Sequence, residues 1–393
     1  MHALPAAATL PLPDPAAAAH SAQLVALIRR EIDAAGGWIP FDRFMQLALY
    51  APGLGYYTAG AHKLGDSAAG GDFVTAPEIS PLFGQALAAQ VAQVFEHTTH
   101  RILEFGAGSG TLARDLLAEL ARCGVAVEQY AIVEVSADLR DRQRARLAAH
   151  PEVTWLDAPP AGFEGVIIAN EVLDVMPVRL FVRGADDAPP PVFERGVAWR
   201  DGGCVFAERA ADASLLSAVR VIEAAVGPLR AGFGSEVGPV ATAWTAQLAH
   251  WLARGVALLI DYGFPRREYY HPQRLMGTLM CHYRHHAHAD PLWLPGLNDI
   301  TAHVDFTAVA DAAHDAGLDV LGYTTQAHFL INCGLLDAVQ RAPQSQRHHC
   351  AAQAQRLLSE AEMGELFKVL AVGRGIAAPL RGFARGDRLH TLD

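Results

Sequence analysis

The chain has 393 residues, of which 51% are hydrophobic and 19% are charged, and its formal net charge is −11. This balance excludes a disordered chain and predicts one large domain with insertions or two domains. The negative charge disfavours non-specific nucleic-acid binding and mildly favours a basic substrate. No segment has the continuous apolar length of a membrane span. Five scattered cysteines lack the paired spacing of a zinc site or a redox dithiol, which indicates a cytoplasmic location.

The N-terminal region is predicted to be largely helical. Residues 1–20 are rich in alanine and proline but lack the basic start of a signal peptide, so we expect a disordered leader. Two apolar stripes follow and predict two helices within an N-terminal region that spans 21–98. Tyr50, Tyr56 and Tyr57 lie in the next turn-rich run, where the simplest interpretation is an aromatic patch that seals these helices onto a sheet.

The segment 71–84, GDFVTAPEISPLFG, carries polar groups within an otherwise apolar run. We interpret it as a lid that closes on a bound cofactor, with Thr75, Pro77 and Glu78 as the contacting residues. An ordinary loop before a capped helix is the alternative. Ser80 is a typical residue at a helix start, and the helix is expected to reach about residue 96.

The stretch 101–117, RILEFGAGSGTLARDLL, reads as an apolar strand, a glycine-rich turn and a helix. Such a turn lets a ligand approach the backbone N–H groups at the helix start. Thr111 holds the place where a dinucleotide-binding fold requires a third small residue. Glu104 would sit poorly against a pyrophosphate, but it suits the sulfonium and amino group of S-adenosylmethionine. The glycines assigned to the cofactor are Gly106, Gly108 and Gly110.

Acidic and amide residues end the next strands. The second strand, 128–135, ends in Glu134, where related folds bind a ribose hydroxyl. Asp157 follows the third strand and is a candidate for the adenine edge. The fourth strand, 165–170, ends at Asn170, which is assigned to the cofactor and to catalysis. A solvated strand end is the alternative for each acid, but their register with the glycine turn favours a nucleoside site at the carboxyl edge of a parallel sheet.

The remaining pattern divides the chain into a core and two insertions. The cofactor-binding core is assigned to 99–177. Alternating residues and two helical stretches predict an inserted hairpin and helices over 178–254. The core sheet resumes in 255–393, which contains an irregular insertion at 264–302 on the substrate side.

With these segments identified, the sequence resembles the MidA-type S-adenosylmethionine-dependent methyltransferases. This family includes the mitochondrial complex I assembly factor that methylates protein arginine and its bacterial homologues. The resemblance covers nearly the whole chain beyond residue 40, in the family's order. The matching runs are 44–57, 71–84, 102–117, 133–143, 170–181, 258–263, 299–306 and 367–375.

The resemblance implies the α/β fold of the class I (Rossmann-like) methyltransferases. That fold has a mostly parallel sheet with helices on both faces, here with an N-terminal helical extension and an inserted hairpin and helical substrate region. It also implies S-adenosyl-L-methionine as the cofactor and a protein that presents an arginine as the partner, such as a respiratory complex I subunit. A homodimer is a further expectation.

Three residues after the fourth strand are the first candidates for catalysis. An arginine nucleophile arrives charged, because its pKa lies above ~12. Two carboxylates can hold a guanidinium through paired hydrogen bonds and accept the proton that leaves. We therefore assign Glu171 first, Asp174 second, and Asn170 beside them. A capped helix start is the alternative interpretation.

The end of the fifth strand and the second insertion supply further candidates for the substrate pocket. Asp261 and Tyr262 follow the fifth strand, and Asp299 and Asp305 come from the insertion. His303 is a candidate proton acceptor, because the ordinary pKa of histidine lies near neutrality. Local hydrogen bonds at a helix start are the alternative for any one of them.

Three other functional interpretations are open to this sequence. The histidines within 282–288 lack the ligand spacing of a zinc site, so no metal is expected. A non-catalytic assembly factor that keeps the cofactor fold and binds a partner subunit is an alternative. A nicotinamide-dependent oxidoreductase is disfavoured by Glu104 and Thr111.

Overall fold

The computed structural model describes residues 10–59, 75–185, 189–360 and 362–393. Thirteen α-helices lie within these residues: α1 Pro15–Ala34, α2 Phe41–Tyr50, α3 Ala76–Ile79, α4 Pro81–Phe95, α5 Thr111–Arg122, α6 Ala137–Arg146, α7 Ala213–Val226, α8 Pro239–Trp251, α9 Arg266–Tyr269, α10 Phe306–Asp315, α11 Gln326–Asn332, α12 Leu335–Arg341 and α13 Arg347–Leu358.

The described part of the chain also forms sixteen strands, which make up three sheets. The strands are β1 Trp38–Pro40, β2 Arg101–Phe105, β3 Gln129–Val133, β4 Val153–Leu156, β5 Phe163–Asn170, β6 Arg179–Arg183, β7 Val192–Arg200, β8 Gly203–Ala210, β9 Gly234–Val237, β10 Leu252–Phe264, β11 Met280–Tyr283, β12 His286–His288, β13 Asp299–Thr301, β14 Val304–Asp305, β15 Asp319–Thr325 and β16 Phe367–Arg374.

The central sheet has the strand order β15-β16-β10-β5-β2-β3-β4. The five strands from β10 to β4 run parallel, whereas β16 is antiparallel to both of its neighbours. A mostly parallel sheet is the architecture expected from the sequence, whereas the antiparallel strand near its edge was not predicted. The class I methyltransferase fold is therefore confirmed.

The register brings the ends of four parallel strands to one edge of this sheet. Phe105 of β2 pairs with Val133 of β3 and with Ala169 of β5. Ile260 of β10 pairs with Asn170 at the end of β5. In parallel sheets, ligands bind outside the carboxyl ends of the strands. The residues that follow these strands therefore converge on one site.

Both faces of the central sheet are covered, which explains why β5 is apolar along most of its length. Ile168 points into a core shared with α4, α5 and the C-terminal helices. Its neighbour Ile167 points into the opposite core, which is built with α8 and α10. Neighbouring residues of a strand face opposite sides, so a continuous apolar run can fill two cores.

The first insertion forms the predicted hairpin and a sheet of its own. β7 and β8 pair antiparallel around a turn at Asp201, and the sheet order is β1-β7-β6-β9 with β8 on the other side of β7. The second insertion, expected to be irregular, contains a small sheet of order β12-β11-β13. Hydrogen bonds across short strands order this segment without a strong sequence pattern.

Two regions differ from the sequence prediction. The first helix begins at Pro15, so residues 15–20 of the expected disordered leader are helical, while residues 1–9 lie outside the described part of the chain. Asp14 caps this helix, because its carboxylate accepts the N–H of Ala17 over 2.9 Å. The three C-terminal helices between residues 326 and 358 were not predicted. No helix in the described ranges combines the length and the apolar character that crossing a membrane requires.

Candidate functional site

A cavity of about 890 Å³ lies at the carboxyl edge of the central sheet. Most of the predicted site residues line it, whereas four predicted residues do not: Gly110, Asp157, Asp261 and Asp305. The predicted residues that line the cavity are Thr75, Pro77, Glu78, Glu104, Gly106, Gly108, Glu134, Asn170, Glu171, Asp174, Tyr262, Asp299 and His303.

The glycine turn forms one wall of the cavity. Gly106 has a φ of 63°, and a Cβ atom placed on it would lie 3.2 Å from Cγ2 of Val172. Gly108 also has a positive φ and lines the cavity. Gly110 does not line the cavity, because it caps α5 and faces Leu147, and its assignment to the cofactor stays a prediction. Its φ of 82° is what the turn into α5 requires.

The predicted lid places α3 against this turn. Glu78 accepts a hydrogen bond from the hydroxyl of Ser109, which belongs to the glycine turn. Glu78 also lies 3.8 Å from Arg146 of α6. Residues 71–74 of the predicted lid lie outside the described residues. Closure on a cofactor therefore stays a prediction.

Glu104 lies beneath the turn on β2, and its side chain is buried. Its Oε2 accepts a hydrogen bond from the Tyr130 hydroxyl over 2.8 Å. Burial raises the pKa of Glu104 to about 7, although the Tyr130 bond opposes this rise. A cationic ligand in the cavity would favour the ionised carboxylate.

Glu134 ends β3 at the position expected for a ribose contact. Its carboxylate accepts the N–H of Ser136 over 3.0 Å and the side-chain amide of Gln143 over 3.1 Å. The same Gln143 amide donates to the carbonyl of Gly108 over 2.9 Å. Gln143 therefore holds the acid in register with the glycine turn.

Asp157 does not reach the cavity, so its assignment to the adenine edge is not supported by the structure. Its side chain is 95% exposed and pairs with Arg140 over 2.7 Å. β4 ends at Leu156, and the chain then turns so that Pro159 lines the cavity instead. The position of an acid after a strand does not fix the direction of its side chain.

Glu171 follows β5 in a left-handed conformation with a φ of 53°. Its N–H donates to the carbonyl of Ile260 over 2.9 Å, and its Oε1 accepts the Asn170 amide over 3.1 Å. Burial, with a smaller contribution from the negative charge of Asp174, raises the pKa of Glu171 to about 8. Backbone outliers of this kind persist where the surrounding structure holds them in place, and they cluster at active sites.

Asp174 lies close to Glu171 and is held by Tyr262. The Tyr262 hydroxyl donates to Oδ2 of Asp174 over 2.5 Å. Oδ1 of Asp174 is buried and has no hydrogen-bond partner among the described residues, and the same holds for Oδ1 of Asn170. Burial raises the pKa of Asp174 to about 6.

Asp261 holds the loop that follows β5, residues 171–174, and does not line the cavity. Its Oδ2 accepts the backbone N–H groups of Val172, Leu173 and Asp174, and its Oδ1 accepts the N–H of Tyr262. The prediction that Asp261 binds substrate is therefore not supported, because its oxygens are used by the backbone. Its hydrogen bonds fix the backbone that carries Asp174 and Tyr262.

His303 lines the cavity, but its environment argues against a role as proton acceptor. Its ring stacks on Phe264 with 5.4 Å between the ring centres. Burial, together with the positive charges of Arg274 and Lys368, lowers the pKa of His303 to about 3. A neutral imidazole with so low a pKa is a weak base at neutral pH.

Asp305 is a helix cap outside the cavity, contrary to the prediction. Its carboxylate accepts the N–H of Ala308 over 3.1 Å at the start of α10. Arg266 lies 3.3 Å away and balances its charge. The alternative of local hydrogen bonds at a helix start is confirmed here.

Two tyrosines were not predicted as site residues. Tyr50 and Tyr57 line the cavity and stack with 5.7 Å between ring centres. Tyr57 donates its hydroxyl hydrogen bond to Asp299 over 2.9 Å, and Tyr50 donates to the carbonyl of Val175 over 3.0 Å. The aromatic-patch interpretation agrees with the structure, because Tyr57 contacts the rings of Tyr50 and Tyr56 and all three pack with the core of the N-terminal helices.

The histidines of 282–288 are spread over different environments. His282 lines the cavity, whereas His285 and His286 are exposed. His288 is fully buried and its ring contacts Oδ1 of Asn298 over 3.2 Å. Within the described ranges, no group of His, Cys, Asp or Glu side chains has an arrangement that would hold a metal ion.

The cavity fits a cationic nucleoside. Among the described residues, seven carboxylates line it, and the glycine turn gives access to the backbone. The negative charge of these carboxylates would repel a pyrophosphate. A family model of S-adenosyl-L-methionine-dependent methyltransferases matches residues 86–324. The chain belongs to this family.

Relatives and solved structures agree with this membership. The mitochondrial protein arginine methyltransferase NDUFAF7 of Mus musculus is 28% identical, over 86% of this chain and 81% of the mouse protein. The Caenorhabditis elegans homologue is 26% identical, over 78% of this chain and 75% of its own. A Burkholderia thailandensis protein, crystallised with S-adenosyl-homocysteine, is 51% identical over 98% of this chain and 100% of its own, with a TM-score of 0.92.

Family membership settles three expectations from the sequence. The resemblance to the MidA-type methyltransferases is confirmed, S-adenosyl-L-methionine is the cofactor, and the chain is an enzyme of methyl transfer. The family match also decides against the nicotinamide-dependent oxidoreductase.

Proposed function

We propose that this chain methylates a guanidinium nitrogen of an arginine in a protein. The observation that carries the proposal is the set of acceptors around the end of β5. Oδ1 of Asp174 and Oδ1 of Asn170 are buried without a partner among the described residues, and Glu171 lines the same cavity. A guanidinium brings five N–H donors and a positive charge to such a set.

The relatives support the same acceptor. The mouse and Caenorhabditis elegans proteins carry the name protein arginine methyltransferase, and the alignments cover at least three quarters of each chain. A respiratory complex I subunit, which the family resemblance implies, is our candidate for the target. The cytoplasmic location and the homodimer stay predictions.

The residues around the acceptor set have separable tasks. The cofactor supplies an electrophilic methyl group on a sulfonium. Asp174 accepts an N–H of the guanidinium at Oδ1, while Tyr262 fixes the carboxylate by binding Oδ2. Asn170 accepts a second N–H, so the plane of the guanidinium is set by two buried oxygens. This orientation supplies much of the catalysis in a methyl transfer.

Glu171 is the residue suited to remove a proton from the guanidinium nitrogen. Its raised pKa of about 8 makes it a stronger base than an ordinary carboxylate. The incoming positive charge favours its ionised form, so it is ready to accept a proton as the nitrogen is alkylated. The stacked Tyr50 and Tyr57 cover this end of the cavity and reduce access of water.

The decisive experiment is transfer of a radiolabelled methyl group into a lysate of a strain that lacks this protein. We expect one labelled protein band, and mass spectrometry should place the methyl group on an arginine. The Glu171→Gln variant is the matched control and should label nothing. Label on another residue type or on a small molecule would overturn the proposal. If Glu171→Gln restores the cellular function while labelling nothing, the assembly-factor alternative gains support.

A further inference from the structure

The charges around the cavity are strongly one-sided. Arg356 is the only lysine or arginine among the cavity-lining residues that the structure describes. The carboxylates that line the same cavity are those of Glu78, Glu104, Glu134, Glu171, Asp174, Asp299 and Glu362.

Arg356 lies on α13, which packs against α3, and both helices border the cavity. The Ser80 hydroxyl donates to Oε1 of Gln353 over 2.9 Å, and the Gln353 amide donates to the carbonyl of Ile79 over 2.8 Å. Gln353 and Arg356 are three residues apart on α13, so they share one face of the helix. Arg356 therefore lies on the same side as α3, whose Glu78 touches the glycine turn.

The guanidinium of Arg356 is available to a ligand. Its Nε lies 3.5 Å from Oε2 of Glu362, and the two side chains are 53% and 49% exposed. An ion pair this exposed contributes little to stability. Arg356 can therefore turn from Glu362 to another carboxylate at low cost, and its planar fork matches a carboxylate with two hydrogen bonds.

The cofactor carries charges of both signs. Its sulfonium and α-ammonium suit the acidic lining, whereas its α-carboxylate would be repelled there. We propose that Arg356 forms the subsite for the α-carboxylate of S-adenosylmethionine. The inference concerns the cofactor that the family establishes, and it does not depend on the identity of the methyl acceptor.

Calorimetric titration of the full chain with two cofactors tests this subsite. The ligands are S-adenosylmethionine and its decarboxylated analogue, which lacks only the α-carboxylate. The wild type should bind the analogue about tenfold more weakly, as expected for the loss of a charge-assisted hydrogen bond. Arg356→Gln should weaken the binding of S-adenosylmethionine by a similar factor and leave the affinity for the analogue unchanged. Arg356→Lys should recover part of the wild-type preference for S-adenosylmethionine over the analogue.

Arg347→Gln is the matched control, because Arg347 is exposed at the other end of α13 and does not line the cavity. It should keep the wild-type preference. The subsite is refuted if Arg356→Gln lowers the affinity for both ligands equally, or if it lowers the affinity for neither of them. No methyl acceptor is present in the titration, so a failure here leaves the arginine proposal standing, and a failed labelling experiment leaves the subsite standing.

Discussion

The Tyr262 hydroxyl donates a 2.5 Å hydrogen bond to Oδ2 of Asp174, although the two residues are 88 positions apart in the chain. The bond joins the end of β10 to the loop after β5. It fixes the rotation of the carboxylate and leaves the buried Oδ1 without a partner in the described part of the protein. The same bond lowers the pKa of Asp174 against the effect of burial.

Removal of this donor should change the pH dependence of methyl transfer. In Tyr262→Phe, burial is no longer opposed, so the pKa of Asp174 rises toward that of Glu171, and the acid limb of the kcat/KM profile, on which Glu171 titrates first, becomes steeper at a higher pH. Tyr323→Phe is the control, because the Tyr323 hydroxyl is buried outside the cavity and has no partner among the described residues. Superimposable profiles for Tyr262→Phe and the wild type would contradict this role.

Glu171→Gln and Asp305→Ala should have different effects: the first should lower the rate of methyl transfer, and the second should lower the stability of the fold. Glu171→Gln should lower kcat by about 10²- to 10⁴-fold, the range for general base catalysis. Asp305→Ala should keep kcat but lose about 1 kcal/mol of unfolding free energy, because Asp305 caps α10 outside the cavity. Steady-state kinetics and thermal unfolding separate them. A kcat loss in Asp305→Ala would restore its predicted role in the substrate pocket.

Much of the fold could be predicted because its signals are local. The strand, turn and helix at 101–117 are defined by apolar runs and glycines, and strand ends in a parallel sheet meet at one edge. The convergence of Glu104, Glu134 and Glu171 on one cavity follows from that topology. The inserted hairpin was equally visible from its alternating pattern.

The remaining features depend on contacts between distant segments. Asp157 and Asp261 both follow strands, but one side chain points to solvent and the other binds the backbone of another loop. The low pKa of His303 comes from burial beside Arg274 and Lys368. None of these orientations or neighbours can be read from spacing in the sequence.

Substitution of two acids, Glu134 and Asp157, tests which of them contacts the nucleoside part of the cofactor. Glu134→Gln should weaken S-adenosyl-homocysteine about tenfold or more, because a charged acceptor of the ribose hydroxyls is lost. Asp157→Asn should bind like the wild type, because its carboxylate is exposed and pairs with Arg140. Calorimetry measures both. A larger loss in Asp157→Asn than in Glu134→Gln would place the adenine where the sequence alone suggested.

Substitution of two glycines, Gly106 after β2 and Gly124 after α5, can distinguish the effect of backbone strain from the effect on cofactor binding. Gly106 and Gly124 have φ values of 63° and 75°, so an alanine at either position should cost about 1 kcal/mol of unfolding free energy. Only at Gly106 does the new Cβ meet a neighbour, Cγ2 of Val172 at 3.2 Å, and only this residue lines the cavity. Gly106→Ala alone should weaken cofactor binding, by about tenfold. Equal cofactor affinities would contradict this assignment.

The acids of the cavity should couple cofactor binding to proton release. Burial raises the pKa of Glu104 to about 7 and of Glu171 to about 8, from ordinary values of 4.5. Between pH 4.5 and 8 the folded, ligand-free protein therefore holds protons that the unfolded chain has lost. The stabilising contribution of these groups is complete below about pH 4.5 and is lost as the pH rises through 7 and 8.

A bound sulfonium and ammonium favour the ionised carboxylates, so they lower both pKa values and expel protons. Titrations at pH 7 in two buffers with different ionisation enthalpies should show net proton release, and Glu171→Gln should release fewer protons. For the same reason, saturating cofactor should raise the unfolding temperature more at pH 8 than at pH 6. Binding without proton exchange would contradict this coupling. The two acids would then be ionised already in the ligand-free protein, and the positive charge of the cofactor would not change their protonation.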